Sequence, residues 1–393
     1  MIPLMKTAFS HEYETRRALA DFLMRAPKLS MDEQCFSFEG EFAKKQGARY
    51  CVLFNSGGSA NLAMLQALLN LGRIPRNATV GFSALTWSTN VMPIIQMGLR
   101  PIPIDCEPDT LNVMSSGVGA LLKDAPCDVL FLTNVLGFAG DLPAIRSMCR
   151  DRGVVLLEDS CEALGSRFRE GQTGSFGLAA SFSFFVAHHM STIEGGCVCT
   201  DDSELAEMLV IVRANGWDRN LSASQQQKWR RQYGITSEFE AKYTFYDLAY
   251  NFRPTEITGF LGLQQLPYLD ANNARRLENH LALEAVVRKN PDLVRIRHEH
   301  IERPAPFAFP VVCRTPELRD HYLKQFSGAG VEVRPMIAGN IARQPFYKRY
   351  DPRTHHLPGA EMLHECGFYC GNYPELSSRD LNTLASCLTA TPT

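Results

Sequence analysis

Short apolar runs alternate with stretches of helical periodicity through the first two-thirds of the chain. Arg49 to Phe54 reads as a strand and Ser59 to Leu71 as a helix. Thr79 to Phe82 reads as a strand. Asp128 to Thr133 reads as another, with a helix near Leu142 to Arg152 after it. Val154 to Leu157 is a buried strand that ends in Glu158-Asp159, and strands follow at Ala179 to Phe185 and Cys197 to Thr200. Strands that alternate with helices predict an α/β architecture with a mainly parallel sheet covered on both faces. Ligands of such sheets sit at the carboxyl ends of the strands.

The pattern changes after about Leu266, with a helix over Asp270 to Val287 and strands at Ala308 to Cys313 and Val331 to Arg334. The expected division is residues 1–266, a large domain with the N-terminal segment, and residues 267–393, a smaller α+β C-terminal domain. Trp217 to Lys242 is charged and reads as a surface excursion.

Composition narrows the function classes. With 393 residues, 45% of them hydrophobic, the chain can bury a large core. A net charge of -2 offers no broad surface for nucleic acid or membrane, and no apolar run is long enough to cross a bilayer. The start soon reaches His11, Glu12, Glu14, Arg16 and Arg17, so it does not read as a signal peptide. The twelve cysteines are scattered, many in apolar stretches, as buried free thiols of a reducing compartment are; a cytoplasmic location is expected.

Several segments carry candidate chemistry. Asn55-Ser-Gly-Gly-Ser-Ala-Asn61 lies between a strand and a helix. Small residues and free helix-start N–H groups suit a phosphate, while a tight turn with Ser59 as N-cap needs no ligand. Asp159 at a strand's carboxyl end could hold a pyridinium nitrogen protonated, or serve a helix cap or an ion pair. Trp87 follows another strand and could stack on a flat ring or fill the core. Ser183 leads through His188-His189 to a turn at Glu194-Gly195-Gly196. Adjacent residues on a strand point to opposite faces, and no Cys/His partners stand nearby at zinc-like spacing, so no metal is expected.

Together these segments resemble the DegT/DnrJ/EryC1/StrS family of sugar aminotransferases. The resemblance runs over nearly the whole chain. It is carried by Ser56-Gly57, Ile104 to Asn112, Leu136-Gly137 with Gly140-Asp141, Glu158-Asp159, Phe182-Ser183-Phe184, Glu194-Gly-Gly196 and Tyr250-Asn251-Phe-Arg253, in the family's order. It implies an aspartate-aminotransferase-like fold (fold type I) and a pyridoxal 5'-phosphate or pyridoxamine 5'-phosphate cofactor. In the family a cofactor-binding lysine stands five residues after the Ser183 position and six before the Glu194 position, and both counts land on His188. Glu162 stands where glutamine is usual. These departures, with Ser59 to Leu62 and Arg334 to Asn340, are similar to a branch of the family that dehydrates nucleotide sugars at C3.

A lysine amine condenses with the cofactor aldehyde; imidazole forms no such stable imine, yet it titrates near neutrality and can move protons. The resemblance therefore implies a 3-dehydratase (lyase) acting on a nucleotide-linked 4-keto-6-deoxy sugar. GDP-4-keto-6-deoxymannose is the expected substrate and glutamate the amino donor. His188 and Asp159 would be catalytic. Gly57, Gly58, Trp87, Glu162 and Ser183 would hold the cofactor, and Asn251 would reach the neighbouring subunit's phosphate in a homodimer with shared sites. Arg219 and Arg253 would meet the nucleotide diphosphate, or form surface or interface ion pairs. Departures at Gly58, at Phe185-Val186 and at Ile193, where glycine is common, bear on the pocket's shape. Two other readings stay open. One is a dehydrase that needs an external reductase; its related members carry an iron–sulfur cluster on four cysteines, which Cys197 and Cys199 alone do not supply. The other is a non-catalytic binding protein.

Overall fold

The computed structural model describes residues 1–390, so the last three positions of the stretch 267–393 lie outside the described residues. Seven strands form the larger sheet: β1 (Tyr50–Phe54), β2 (Thr79–Ser83), β3 (Arg100–Ile104), β4 (Val129–Thr133), β5 (Val155–Asp159), β6 (Ala179–Ser183) and β7 (Gly196–Thr200). Their order is β1-β7-β6-β5-β4-β2-β3. The run from β3 to β6 is parallel, and β7 lies antiparallel between β6 and β1. Every residue of β2, β4, β6 and β7 is buried, as the near-continuous apolar runs predict for strands covered on both faces. Helices Gly57–Asn70 and Ser203–Arg213 pack on one face, with Val80, Phe82, Phe131 and Leu157 beneath them.

Helix Leu269–Val287 leads to the smaller sheet: β8 (Leu293–Val294), β9 (Ala308–Cys313), β10 (Val333–Pro335) and β11 (Gly367–Gly371). Its order is β10-β11-β9-β8, antiparallel throughout. The start of the chain joins this part, because Ile2 bridges Val331 in parallel.

Three local expectations change. The strand expected over Ala179 to Phe185 ends at Ser183, because Phe184 leaves the ladder to exchange hydrogen bonds with Gly195 O and Thr192 N. His188 and His189 therefore sit on a loop and not on a strand. The helix expected from Ser59 starts at Gly57, and its cap is Ser56, whose hydroxyl accepts from Ser59 N at 3.0 Å. The segment Trp217 to Lys242 is more than a surface excursion: it folds helix Ala223–Gln232 and buries Trp229 and Asp218. Trp229 docks on Glu207, and Arg230 pairs with the fully buried Asp218 carboxylate at 2.8 Å.

Candidate active site

The carboxyl ends of β4, β5 and β6 place Thr133, Asp159 and Ser183 on the rim of a cavity of about 420 Å³. Alternation along β5 sends its two acids to opposite sides. Glu158, fully buried, accepts from the N–H groups of Gly174, Phe176 and Gly177 and fixes that loop. Asp159 turns into the cavity. Its Oδ2 accepts from Asn61 Nδ2 and Asn90 Nδ2, both at 2.8 Å, and its Oδ1 from Cys161 N at 2.9 Å. These donors are neutral amides, and the carboxyl group has acceptor capacity left for a further partner.

The same cavity is lined by the turn Ser56-Gly57-Gly58, at the start of the 14-residue helix Gly57–Asn70. Gly57, and Gly196 at the start of β7, are required by contact. A Cβ on Gly57 would stand 2.8 Å from Ser183 Cβ, and one on Gly196 would stand 2.4 Å from Gly57 N. The turn, Ser183 and the start of β7 are thus pressed together, leaving free helix-start N–H groups and the Ser183 hydroxyl at one end of the cavity. Trp87 is 55% exposed at the rim, so it is not a core tryptophan.

His188 enters from the loop after β6, its ring 5.2 Å from that of Phe307. Its Nδ1 is buried without a protein partner. Burial, reinforced by the charge of Arg276, holds the imidazole down to about 4, so the ring is neutral near pH 7. His189 points away and binds Ala305 O through Nε2 at 2.9 Å. Burial pushes the Glu162 carboxyl up to about 7; a hydrogen bond from Leu136 N opposes this and the charge of Asp159 reinforces it. Ile193, beside Glu194, has φ 72°, left-handed backbone that a β-branched residue adopts only under strain.

Seven of the residues singled out in the sequence line this one cavity: Gly57, Gly58, Trp87, Asp159, Glu162, Ser183 and His188. Asn251, Arg219 and Arg253 do not. They gather on the surface around Trp217: the Arg219 and Arg253 guanidinium carbons lie 4.2 and 5.5 Å from its ring centre, and Arg253 Nε donates to Asn251 Oδ1 at 3.2 Å. Sequence reasoning missed the two amides on Asp159. It also missed Phe307, Ile337 and Tyr369, which close the cavity from the C-terminal part of the chain. Burial, with the nearby Glu162 charge, pushes the Tyr369 phenol up to about 12.

The donor set fits a phosphorylated pyridine aldehyde or amine: an anion cradle at one end, an exposed indole, a carboxylate set to meet a ring N–H, and an imidazole nitrogen with no other use. Residues 11–389 match the DegT/DnrJ/EryC1/StrS aminotransferase family. The chain belongs to that family. A relative named GDP-4-keto-6-deoxy-D-mannose 3-dehydratase, from Escherichia coli O55:H7 (strain CB9615 / EPEC), is 31% identical over 368 residues, covering 92% of each chain. A crystal structure of GDP-4-keto-6-deoxymannose-3-dehydratase with a trapped PLP-glutamate geminal diamine matches with a TM-score of 0.89 at 29% identity. It covers 99% of this chain and 100% of that one. A mutant of that dehydratase with bound GDP-perosamine matches with a TM-score of 0.88, at the same identity and coverage. The mixed α/β fold with its large, mainly parallel sheet is thus the fold of this family.

Proposed function

We propose that this protein is a pyridoxal phosphate/pyridoxamine phosphate-dependent 3-dehydratase. It removes the C3 hydroxyl of a nucleotide-linked 4-keto-6-deoxy sugar, GDP-4-keto-6-deoxymannose, with glutamate as amino donor. The observation that carries this reading is His188: a neutral imidazole with an unpartnered Nδ1 stands in the cavity where the family carries its lysine. The relatives named for this reaction, matched over nearly the full length of both chains, support the same substrate class.

The cofactor, when bound, supplies the amine that engages the C4 ketone and the conjugated ring that takes up electrons as the C3 hydroxyl leaves. The chain's own residues do the rest. Amides of Gly57 and Gly58 and the Ser183 hydroxyl would hold the phosphate, and Trp87 would lie against the ring. Asp159, fixed by Asn61 and Asn90, would meet the pyridine nitrogen and hold a proton there. His188, neutral and with a free Nδ1, would take up a proton from the bound cofactor and pass one to the departing hydroxyl. Among the described residues, no lysine lines the cavity beside it. Glu162, whose carboxyl burial pushes up to about 7, lines the cavity with Asp159 where the family usually carries glutamine.

The reading extends to a homodimer with shared sites, in which Asn251 reaches the partner's cofactor phosphate and Arg219 and Arg253 meet the nucleotide diphosphate. An exposed patch of Phe239, Tyr243, Phe245 and Leu248 beside these residues supports it, because such contiguous apolar surface marks an interaction face. Division at residues 266/267 belongs to the same reading, with the cavity where the two parts meet. So does a cytoplasmic location, where the twelve free cysteines would stay reduced. Among the described residues no helix is long and apolar enough to cross a membrane.

The test is an absorbance and mass-spectrometry time course of the purified protein with pyridoxal phosphate and glutamate, then with GDP-4-keto-6-deoxymannose. Loss of aldehyde absorbance, then loss of the C3 oxygen and release of ammonia, is expected, and His188→Lys should abolish dehydration. If the cofactor binds and glutamate never aminates it, the reductase-dependent reading replaces this one. If no cofactor binds, the enzyme reading fails.

A further inference from the structure

The sequence places Cys197 and Cys199 two residues apart, with the next cysteine downstream at Cys313. Antiparallel pairing of β1 with β7 supplies a third thiol from upstream. Cys51 stands opposite Cys199, and Leu53 opposite Cys197. Residues opposite one another share a face, as do residues two apart, so all three thiols project from the same side of the sheet. The three sulfurs lie within 4.8 Å of one another.

A lone buried thiol is a small apolar filler. This group differs in its mutual contacts. All three thiols are free and buried, and each sulfur lies within reach of the other two. Phe38, Phe42, Phe182 and Phe184 pack around the group in one apolar cluster. The donors are all soft, and each side chain is buried.

We propose that Cys51, Cys197 and Cys199 form a binding site for a single soft, thiophilic cation, monovalent copper. Thiolates select soft ions. Zinc takes four ligands in structural sites, and iron–sulfur clusters take four cysteines, so a buried donor set of three sulfurs suits neither. Binding forms copper–sulfur bonds and releases to solvent the proton of each thiol that ligates, with no change in oxidation state. The site has a structural consequence. β1 runs directly into the Ser56-Gly57-Gly58 turn, and β7 emerges directly from the arm that carries His188 and Glu194, with Phe54 opposite Gly196. A bound ion ties together the bases of the two segments that build the cofactor cavity.

The experiment uses the full-length protein under argon. It is titrated with copper(I) buffered by bathocuproine disulfonate, and its copper X-ray absorption spectrum is recorded. One copper per chain held against the competitor is expected, with a first shell made only of sulfur. Cys199→Ser should weaken retention by more than about 100-fold, beyond what loss of an outer-shell partner costs. Cys313→Ser, outside the group, should retain copper as the wild type does. The proposal is overturned by loss of copper to the competitor, by equal retention in Cys199→Ser, or by a shell containing nitrogen or oxygen. If Cys199→Ser does not fold, the wild-type sulfur shell and stoichiometry decide alone.

Discussion

At the scale of single residues, the cavity turns on a histidine that burial keeps neutral. Arg276 contributes to this from behind: its guanidinium, itself buried, donates to Phe307 O and Asn372 O, and its charge disfavours a second positive charge on His188. Arg276→Met should raise the His188 pKa, so the acid limb of kcat/KM for dehydration should move to higher pH. A pH–rate profile of both proteins measures this; loss of rate with an unmoved limb would leave Arg276 a purely structural role. A second buried imidazole tests the same physics away from the site. Both ring nitrogens of His280 are buried without a protein partner, and burial, reinforced by the nearby His298 charge, holds it down to about 3. Its folded value lies below the unfolded value of about 6.5, so the stability it contributes is present above 6.5 and is lost as pH falls towards 3. His280→Phe removes both unpaired nitrogens and should stabilise by about 1–2 kcal/mol at pH 7. Its advantage should widen at pH 5 by up to about 1.4 kcal/mol per pH unit below 6.5. Urea midpoints at the two pH values check the sign. Residues of this kind were legible only where the chemistry is local. Asp159 at a strand end and Ser183 before a turn announce themselves, whereas Asn61 and Asn90 look like ordinary helix positions until the fold aims both at one carboxylate.

Among elements, the buried parallel strands read directly from their apolar runs, and β3 shows why one did not. It carries Pro101 and Pro103, which lack the N–H that a central strand needs, and it survives because it lies at the sheet's edge. The strand expected to continue through Phe185 failed for the opposite reason: its aromatic run has strand propensity, but Phe184 is drawn into hydrogen bonds with Thr192 and Gly195 that build the histidine loop. That loop returns to the sheet at Gly196, where two backbones touch. A Cβ there would meet Gly57 N at 2.4 Å and Ser56 C at 2.5 Å, main-chain atoms with no freedom to swing aside. Gly196→Ala should therefore push β7 away from the Ser56-Gly57-Gly58 turn and, if that turn holds the cofactor phosphate as proposed, weaken pyridoxal phosphate binding by at least about tenfold, roughly 1.4 kcal/mol. An absorbance titration reads the affinity, and unchanged far-ultraviolet circular dichroism would show that the loss is local to the turn.

For the whole molecule, the cavity is built from positions far apart in sequence. β4, β5, β6 and the helix start at Gly57 supply one wall; Phe307, Ile337 and Tyr369 supply the other. Strand and turn patterns locate the first wall, but nothing periodic in the sequence says which face of the small sheet meets it. The same holds one level higher for Asn251, Arg219 and Arg253. In the single chain they cluster around Trp217, outside the cavity lining, beside exposed aromatic side chains. If the protein works as a two-fold dimer with shared sites, each cavity combines its own His188 with the partner's Asn251. Mixing then discriminates. His188→Asn disables a site from within its own chain, and Asn251→Asp, by setting a negative charge against the phosphate, disables the site of the other chain. In a mixed dimer of the two variants one site receives both defects and the other receives neither. Co-refolding the two inactive proteins should therefore restore about a quarter of the wild-type dehydration rate, because half the dimers are mixed and each holds one intact site. With sites confined to single chains, every site in every dimer carries a defect and the mixture stays inactive.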